Sequence, residues 1–201
     1  VATNYKNLVR FSKEEPGVRW INVKGQVTRP ATGGAVNVTE AKKVLEAIKD
    51  LLIEKNVPEE KVRIHICWGN YEGPHVCDIP MSKMFDTLMA TKSRYVLFET
   101  SNPRHGHEWQ VFADRKNDIP DDKILVPGVV DTTTNFVEHP ELVAERLRRF
   151  SGIVGQDRVV ASSDCGFGTF AGFGTIDPEI AYAKLTALSE GAQLASKAEG
   201  G

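Results

Sequence analysis

Val62-Arg63-Ile64-His65-Ile66-Cys67-Trp68-Gly69-Asn70 decides how this chain is read. It is largely apolar over residues 62–67 and stops at Gly69-Asn70, a turn signal. Strand side chains alternate with period two, so His65 and Cys67 project from one face near the strand's end. Two ligand-type side chains there can share a metal ion. A buried thiol beside a hydrogen-bonded core histidine would leave the same His-x-Cys signature.

Outward from this stretch, apolar runs alternate with helical patterns. Further strands are expected at residues 95–98, ending at Glu99; at 124–130, interrupted by Pro127-Gly128 and ending at Asp131; and at 159–161, leading to Asp164-Cys165. A helix opens at Pro80, with Met81, Met84, Phe85, Leu88 and Met89 on one face. A short helix lies between His105 and Asp114. Another starts at Pro140, with Val143, Leu147 and Phe150 inward. The last starts at Asp177-Pro178, with Ile180, Leu185, Leu188 and Ala192 along one side. Upstream, Asn37 and Glu40 form a capping box for a helix carrying Val44, Leu45, Ile48, Leu51 and Leu52. Residues 18–24 read as a short strand and 26–36 as loop. The Asn37-Val38-Thr39 glycosylation pattern is therefore read as a helix start.

Strand–helix alternation predicts an α/β fold on a parallel sheet, and the apolar strands fit a sheet covered on both faces. His65, Cys67, Glu99, Asp131, Asp164 and Cys165 all fall near C-terminal strand ends, where α/β folds place their sites. About five strands are too few for a closed eight-stranded barrel of about 250 residues. Either strands in residues 1–36 escape recognition, or the chain is part of a barrel. Residues 1–36 form an N-terminal segment without clear assignment, and residues 37–201 form the metal-binding part.

The 201 residues carry 41% apolar and 26% charged side chains and a net charge of −2, which gives no basic surface for nucleic acid or anionic lipid. No apolar run reaches the roughly 18 residues of a membrane span. Residues 1–13 are polar and mixed, unlike a signal peptide, and Val1 in place of methionine fits a chain that is trimmed or starts mid-protein. Cys67, Cys77 and Cys165 are too few for a disulfide framework and suit a reducing, cytoplasmic setting with free thiols.

His65, Cys67 and Cys165 are the leading metal set, since Cys165 follows another strand of the same sheet. A catalytic zinc takes three such ligands and keeps one exchangeable position. His75-Val76-Cys77, in a loop, and His105-Gly106-His107-Glu108 are competing sets; His105 and His107 are also candidate substrate contacts. Trp68 and Trp109 could line a pocket or pack in the core. Asp131 with residues 132–135 could bond a polar substrate or only start a helix. Residues 166–174, Gly-Phe-Gly-Thr-Phe-Ala-Gly-Phe-Gly, could bind an anion or act as a mobile cover bearing Phe167, Phe170 and Phe173. Asp164 could orient His65. Arg146, Arg148 and Arg149 with Glu141 and Glu145 read as a solvated helix face.

Ile64-His65-Ile66-Cys67, Phe98-Glu99-Thr100-Ser101 and Ser163-Asp164-Cys165-Gly166, in this order, resemble the C-terminal catalytic domain of cobalamin-independent methionine synthases. The resemblance runs from about Glu59 to Ser196 and is closest to the family's shorter relatives, in which His-x-Cys continues as Trp68-Gly69-Asn70. It implies a (β/α)8 TIM-type barrel, of which this chain covers mainly the C-terminal portion. It also implies a zinc ion held by His65, Cys67 and Cys165, with Glu99 as a fourth, replaceable ligand. Glu99 and Asp164 become the catalytic residues, and Trp68, His105, His107 and Asp131 the substrate contacts. The implied reaction transfers a methyl or other alkyl group to or from a zinc-activated thiolate, with a small-molecule thiol and an alkyl donor as partners. The family's upstream acidic motif for the homocysteine amino group is not recognisable in residues 1–58, where Trp20-Ile21-Asn22-Val23-Lys24 stands instead. Other thiols or donors, including coenzyme M with epoxides in one branch, are the implied substrates. Zinc lyase or hydrolase chemistry at the same residues is one alternative. The other is a non-catalytic, zinc-stabilised part-barrel that needs a partner chain or a homo-oligomer.

Overall fold

The computed structural model describes residue 50 and residues 56–70, 78–168 and 176–198. The strand expected at 18–24, most of the helix opened by Asn37, and His75-Val76-Cys77 lie outside the described residues, as do Phe170 and Phe173. In chain order the elements are β1 (Arg63–Ile66), α1 (Met81–Met89), β2 (Tyr95–Glu99), α2 (Trp109–Asp114), β3 (Ile124–Val130), α3 (Pro140–Val154), β4 (Ser162–Ser163) and α4 (Pro178–Ala198). The four strands pair in parallel in the order β1-β2-β3-β4. This is the expected α/β arrangement, and among the described residues the parallel sheet is open, with β1 and β4 at its edges.

Register fixes which side chains share a face. His65 pairs with Leu97, and Glu99 with Gly128. Glu99 stands two residues beyond Leu97, so it shares the face of His65 one pleat further on. Phe98 points the opposite way, into an aromatic cluster with Phe85, Phe112 and Phe150. Phe98 stacks on Phe112 at 4.5 Å, and Phe150 meets both edge-on at 5.6 and 5.7 Å. All four rings are fully buried, each worth about 1.5–3 kcal/mol in removed apolar surface. This cluster packs α1, α2 and α3 on one face of the sheet and leaves the His65–Glu99 face for chemistry.

Three expectations are corrected. β3 is continuous through Pro127-Gly128. Pro127 pairs in register with Phe98 of β2, while β4 pairs through Gly128 and Val130 with a register shift between them. The missing N–H thus falls beside a ladder that is already irregular. The last strand lies at Ser162–Ser163 rather than 159–161; Val159 makes only an isolated bridge to Leu125. The third correction is Leu185, which is 42% exposed. The buried stripe of α4 is Lys184, Ala187, Gly191 and Ala195. Lys184 occupies the apolar slot because its Nζ donates to the Phe136 carbonyl (2.5 Å) and to Glu138 Oε2 (2.9 Å).

Gly191 lets α4 seat against α3. A Cβ there would lie 2.4 Å from Val143 Cγ1 and 2.7 Å from the Pro140 carbonyl oxygen. Gly191→Ala should gain about 1 kcal/mol of helix propensity and lose about 1–3 kcal/mol to overpacking against backbone. The expected result is a lower urea midpoint; a higher one would mean that the two helices have room between them.

Candidate metal centre

His65 ends the outward reach of β1, and Cys67 follows the strand by one residue. Cys165 follows β4 by two, and Glu99 is the last residue of β2. Parallel strands bring all four to one sheet edge. His65, Cys67 and Cys165 offer ligand atoms that all lie within 4.8 Å of one another. Cys165 Sγ is 3.5 Å from His65 Nε2 and donates to Glu99 Oε1 at 3.1 Å. Tetrahedral zinc with ordinary Zn–N and Zn–S lengths spaces its ligands about 3.3–3.8 Å apart. The set therefore fits a metal after a small contraction. Glu99 Oε2 is buried without a hydrogen-bond partner among the described residues, an unsatisfied acceptor on the carboxylate that meets Cys165.

Protonation follows from this crowding. Hydrogen bonding from Cys165 outweighs burial and, with His65, pulls the Cys67 thiol well below the ordinary range. Cys165, sharing its proton with the Cys67 sulfur and facing the Glu99 charge, is pushed up. The crowding thus favours Cys67 as the sulfur that loses its proton first. Burial lowers the His65 pKa, but its bond to Cys67 and the charges of Cys67, Glu99 and Asp164 raise it overall. Burial lifts the Glu99 carboxyl to about 7, against the pull of the Cys165 hydrogen bond.

Asp164 does not reach for His65 as expected. Its Oδ1 accepts from the amides of Thr100 and Ser101, both at 3.0 Å, and its Oδ2 from Asn102 at 2.7 Å. One carboxylate beside Cys165 thereby gathers the loop that begins after Glu99. Burial pushes its pKa up to about 7 against the pull of these amides. Gly128 makes the approach feasible, because a Cβ there would sit 2.1 Å from Asp164 Oδ1 and 2.6 Å from its Cα. Thr100 and Ser101 hydroxyls both donate to the Gly128 carbonyl. Arg146 Nη1 donates to Ser101 Oγ (3.1 Å) and the Val129 carbonyl (2.8 Å). It is not part of a solvated face, whereas Arg149 pairs with Glu145 as expected.

His105 is buried, with Nδ1 3.0 Å from Glu108 Oε2 and Nε2 3.0 Å from Asp78 Oδ2. Trp68 stacks on it at 3.8 Å and donates Nε1–H to the Ile79 carbonyl at 2.7 Å. Glu108 Oε1 also accepts from Met81 N, an orphan donor at the start of α1. His107 is exposed. Asp131 is buried, and its carboxylate caps the N–H and hydroxyl of Thr133. Its own amide donates to Glu138, the partner of Lys184. Asn70 bridges from β1 to the Gly166 carbonyl and the Thr132 hydroxyl. Phe167 packs against the α3–α4 cluster. Sequence reasoning missed Asp78, Gly128, Asn70 and Arg146. In the sequence Gly69-Asn70 reads as a turn, Pro127-Gly128 as a strand interruption and Arg146 as part of a solvated face, and nothing local marks Asp78.

The family model described as cobalamin-independent synthase, catalytic domain, matches residues 12–181. A curated relative, 2-hydroxypropyl-CoM lyase of Xanthobacter autotrophicus, is 25% identical over 162 residues, covering 69% of this chain and 41% of that protein. A solved structure of a B12-independent methionine synthase from Shewanella sp. W3-18-1, in complex with selenomethionine, matches with a TM-score of 0.51 at 18% identity. That match covers 81% of this chain and 53% of the other, and it places the sheet as part of a barrel of that fold. The chain spans about half the length of these proteins or less. Among the described residues, no helix is long and apolar enough to cross a membrane.

Asp164→Asn should set an amide NH2 against backbone donors and cost about 1–3 kcal/mol for the lost buried bonds. Hydrogen exchange should then speed up selectively at Thr100, Ser101 and Asn102. Unchanged protection at these amides would mean that the loop is held by other contacts.

Proposed function

We propose a zinc-dependent transfer of an alkyl group to or from a thiol, on the premise that this chain belongs to the cobalamin-independent synthase family, matched through its catalytic domain. One observation carries the reading: an imidazole nitrogen and two cysteine sulfurs within 4.8 Å of one another, beside a carboxylate whose second, buried oxygen has no partner among the described residues. His65, Cys67 and Cys165 would hold the ion, with Glu99 as the exchangeable fourth ligand. Bound there, zinc supplies a Lewis acid that keeps a substrate thiol deprotonated near neutral pH.

The chain's own residues prepare the rest. Cys67 is already biased to thiolate by its neighbours. The Cys165 proton has its acceptor at Glu99 Oε1, 3.1 Å away. A carboxyl at about 7 lies near the ordinary range of a free thiol and can exchange a proton with an incoming one. Asp164 keeps Glu99 and Cys165 in register through the 100–102 amides. Two thiolates lower the charge on the bound cation and favour a nucleophilic sulfur over hydrolysis, which would want an activated water. His107 and Asp131 stand on the loops at this edge and are the proposed contacts to substrate. His105 and Trp68, the other two residues of the substrate-contact set, are buried and stack on each other.

A methionine synthase and a CoM lyase among the similar proteins support carbon–sulfur chemistry with a small-molecule thiol. The lyase also favours a second reading, cleavage of a carbon–sulfur bond at the same residues. Purified protein should carry about one zinc per chain, and Cys165→Ser should lower its affinity at least about 10-fold. Glu99→Gln should keep the metal and slow alkylation of the accepted thiol by about 10²-fold or more. Less than about a tenth of an equivalent of zinc after reconstitution would contradict the reading.

A further inference from the structure

The site has a second layer that the proposed chemistry does not use: the buried carboxylate–histidine–carboxylate row of Asp78, His105 and Glu108. Side-chain exposures are 10%, 3% and 7%. Both ring nitrogens of His105 face carboxylate oxygens at 3.0 Å. A neutral imidazole has one donor and one lone pair, so one nitrogen would then press a lone pair against a carboxylate. Only the imidazolium donates both ways. Glu108 and Asp78 oppose the burial penalty and raise the ring's pKa.

The ring lies flat on Trp68, 3.8 Å between centroids and 13° between planes. Trp68 follows Cys67, and its backbone N–H bonds to Glu99. Its indole N–H is pinned to the Ile79 carbonyl, next to Asp78. The same Glu108 that holds the ring caps the start of α1 at Met81. The cluster thus joins the β1 end, the α1 start and the loop before α2 around one indole. The charged groups facing the ring are Asp78 and Glu108 directly and Glu99 at longer range.

We propose that His105 is a permanently charged positioning residue: an imidazolium stacked on Trp68 that fixes the Cys67–Trp68 corner and its bond to Glu99, and through them the geometry of the metal set. A cation against an indole face is attracted by the ring quadrupole, more strongly when desolvated. Partners of this kind behind metal ligands change metal affinity by about 10–100-fold when altered. The affinity part rests on the zinc reading above; the protonation and the fixing of Trp68 do not.

The test uses the full chain. Nitrogen-15 spectra of the metal-free protein at about pH 8, where an ordinary histidine is neutral, should show both His105 nitrogens protonated. His105→Gln should speed exchange of the Trp68 indole N–H at least about 10-fold and weaken zinc binding, measured by chelator competition, about 10-fold or more. His105→Arg keeps a planar cation that can meet both carboxylates and stack, and should restore both to within about threefold of wild type. An unprotonated His105 nitrogen would overturn the proposal even if His105→Gln fails to fold. So would a folded His105→Gln chain with wild-type exchange and affinity, or an Arg variant no better than Gln. If the wild-type chain takes no zinc but the spectra and the exchange behave as expected, the metal reading fails and this one stands.

Discussion

The Asp164 carboxylate, accepting three consecutive amides from the loop after β2, is the constraint on which the rest of the site depends. Glu99 ends a strand two positions along the sheet from β4, and Cys165 follows β4 itself. Left alone, two such loops would diverge, because nothing in a parallel sheet ties successive strand ends beyond the ladder. A buried carboxylate with its acceptors filled is a rigid tie, and breaking it strands several donors at once. It demands an empty place in β3 between them, which Gly128 supplies. The direct contacts of Cys165 with His65 and Glu99 at the edge are therefore built on a backbone arrangement.

Around that tie, charge is arranged in layers. The outermost is the soft donor set of His65, Cys67 and Cys165, which gathers negative charge and crowds its own protons. Beside it, Glu99 has one oxygen on a thiol and one with no partner among the described residues. Behind it, the row of Asp78, His105 and Glu108 places a cation under the indole next to Cys67. On the far side, Lys184 reaches from α4 to Glu138 and so to the Asp131 amide. Glu99, His105, Glu108 and Lys184 form buried polar machinery that an apolar core would not need. Its cost is sustainable because the aromatic cluster on the opposite face of the sheet supplies the cohesion.

Much of this was legible in the sequence, and for identifiable reasons. Period-two and helical patterns located β1, β2, α1 and α3 because those elements bury apolar side chains in regular positions. The strand-end logic brought His65, Cys67, Glu99 and Cys165 to one edge before any coordinates. What escaped was polar and buried. Lys184 took a core slot from Leu185, because an ion pair can satisfy a position that pattern reading reserves for hydrocarbon. Arg146 turned inward because two acceptors await it. His105 read as a ligand or substrate contact, and its two carboxylate neighbours come from separate elements. β4 escaped for another reason: its ladder is two serines, and the apolar residues before it mark only its approach.

The central claim is that three side chains from two distant strand ends form one metal site. X-ray absorption at the zinc edge of the reconstituted full chain tests it most directly. The wild type should show two sulfur scatterers and one imidazole nitrogen, and each of Cys67→Ser and Cys165→Ser one sulfur fewer. A shell of oxygen and nitrogen alone, or a sulfur count that neither substitution changes, would contradict it.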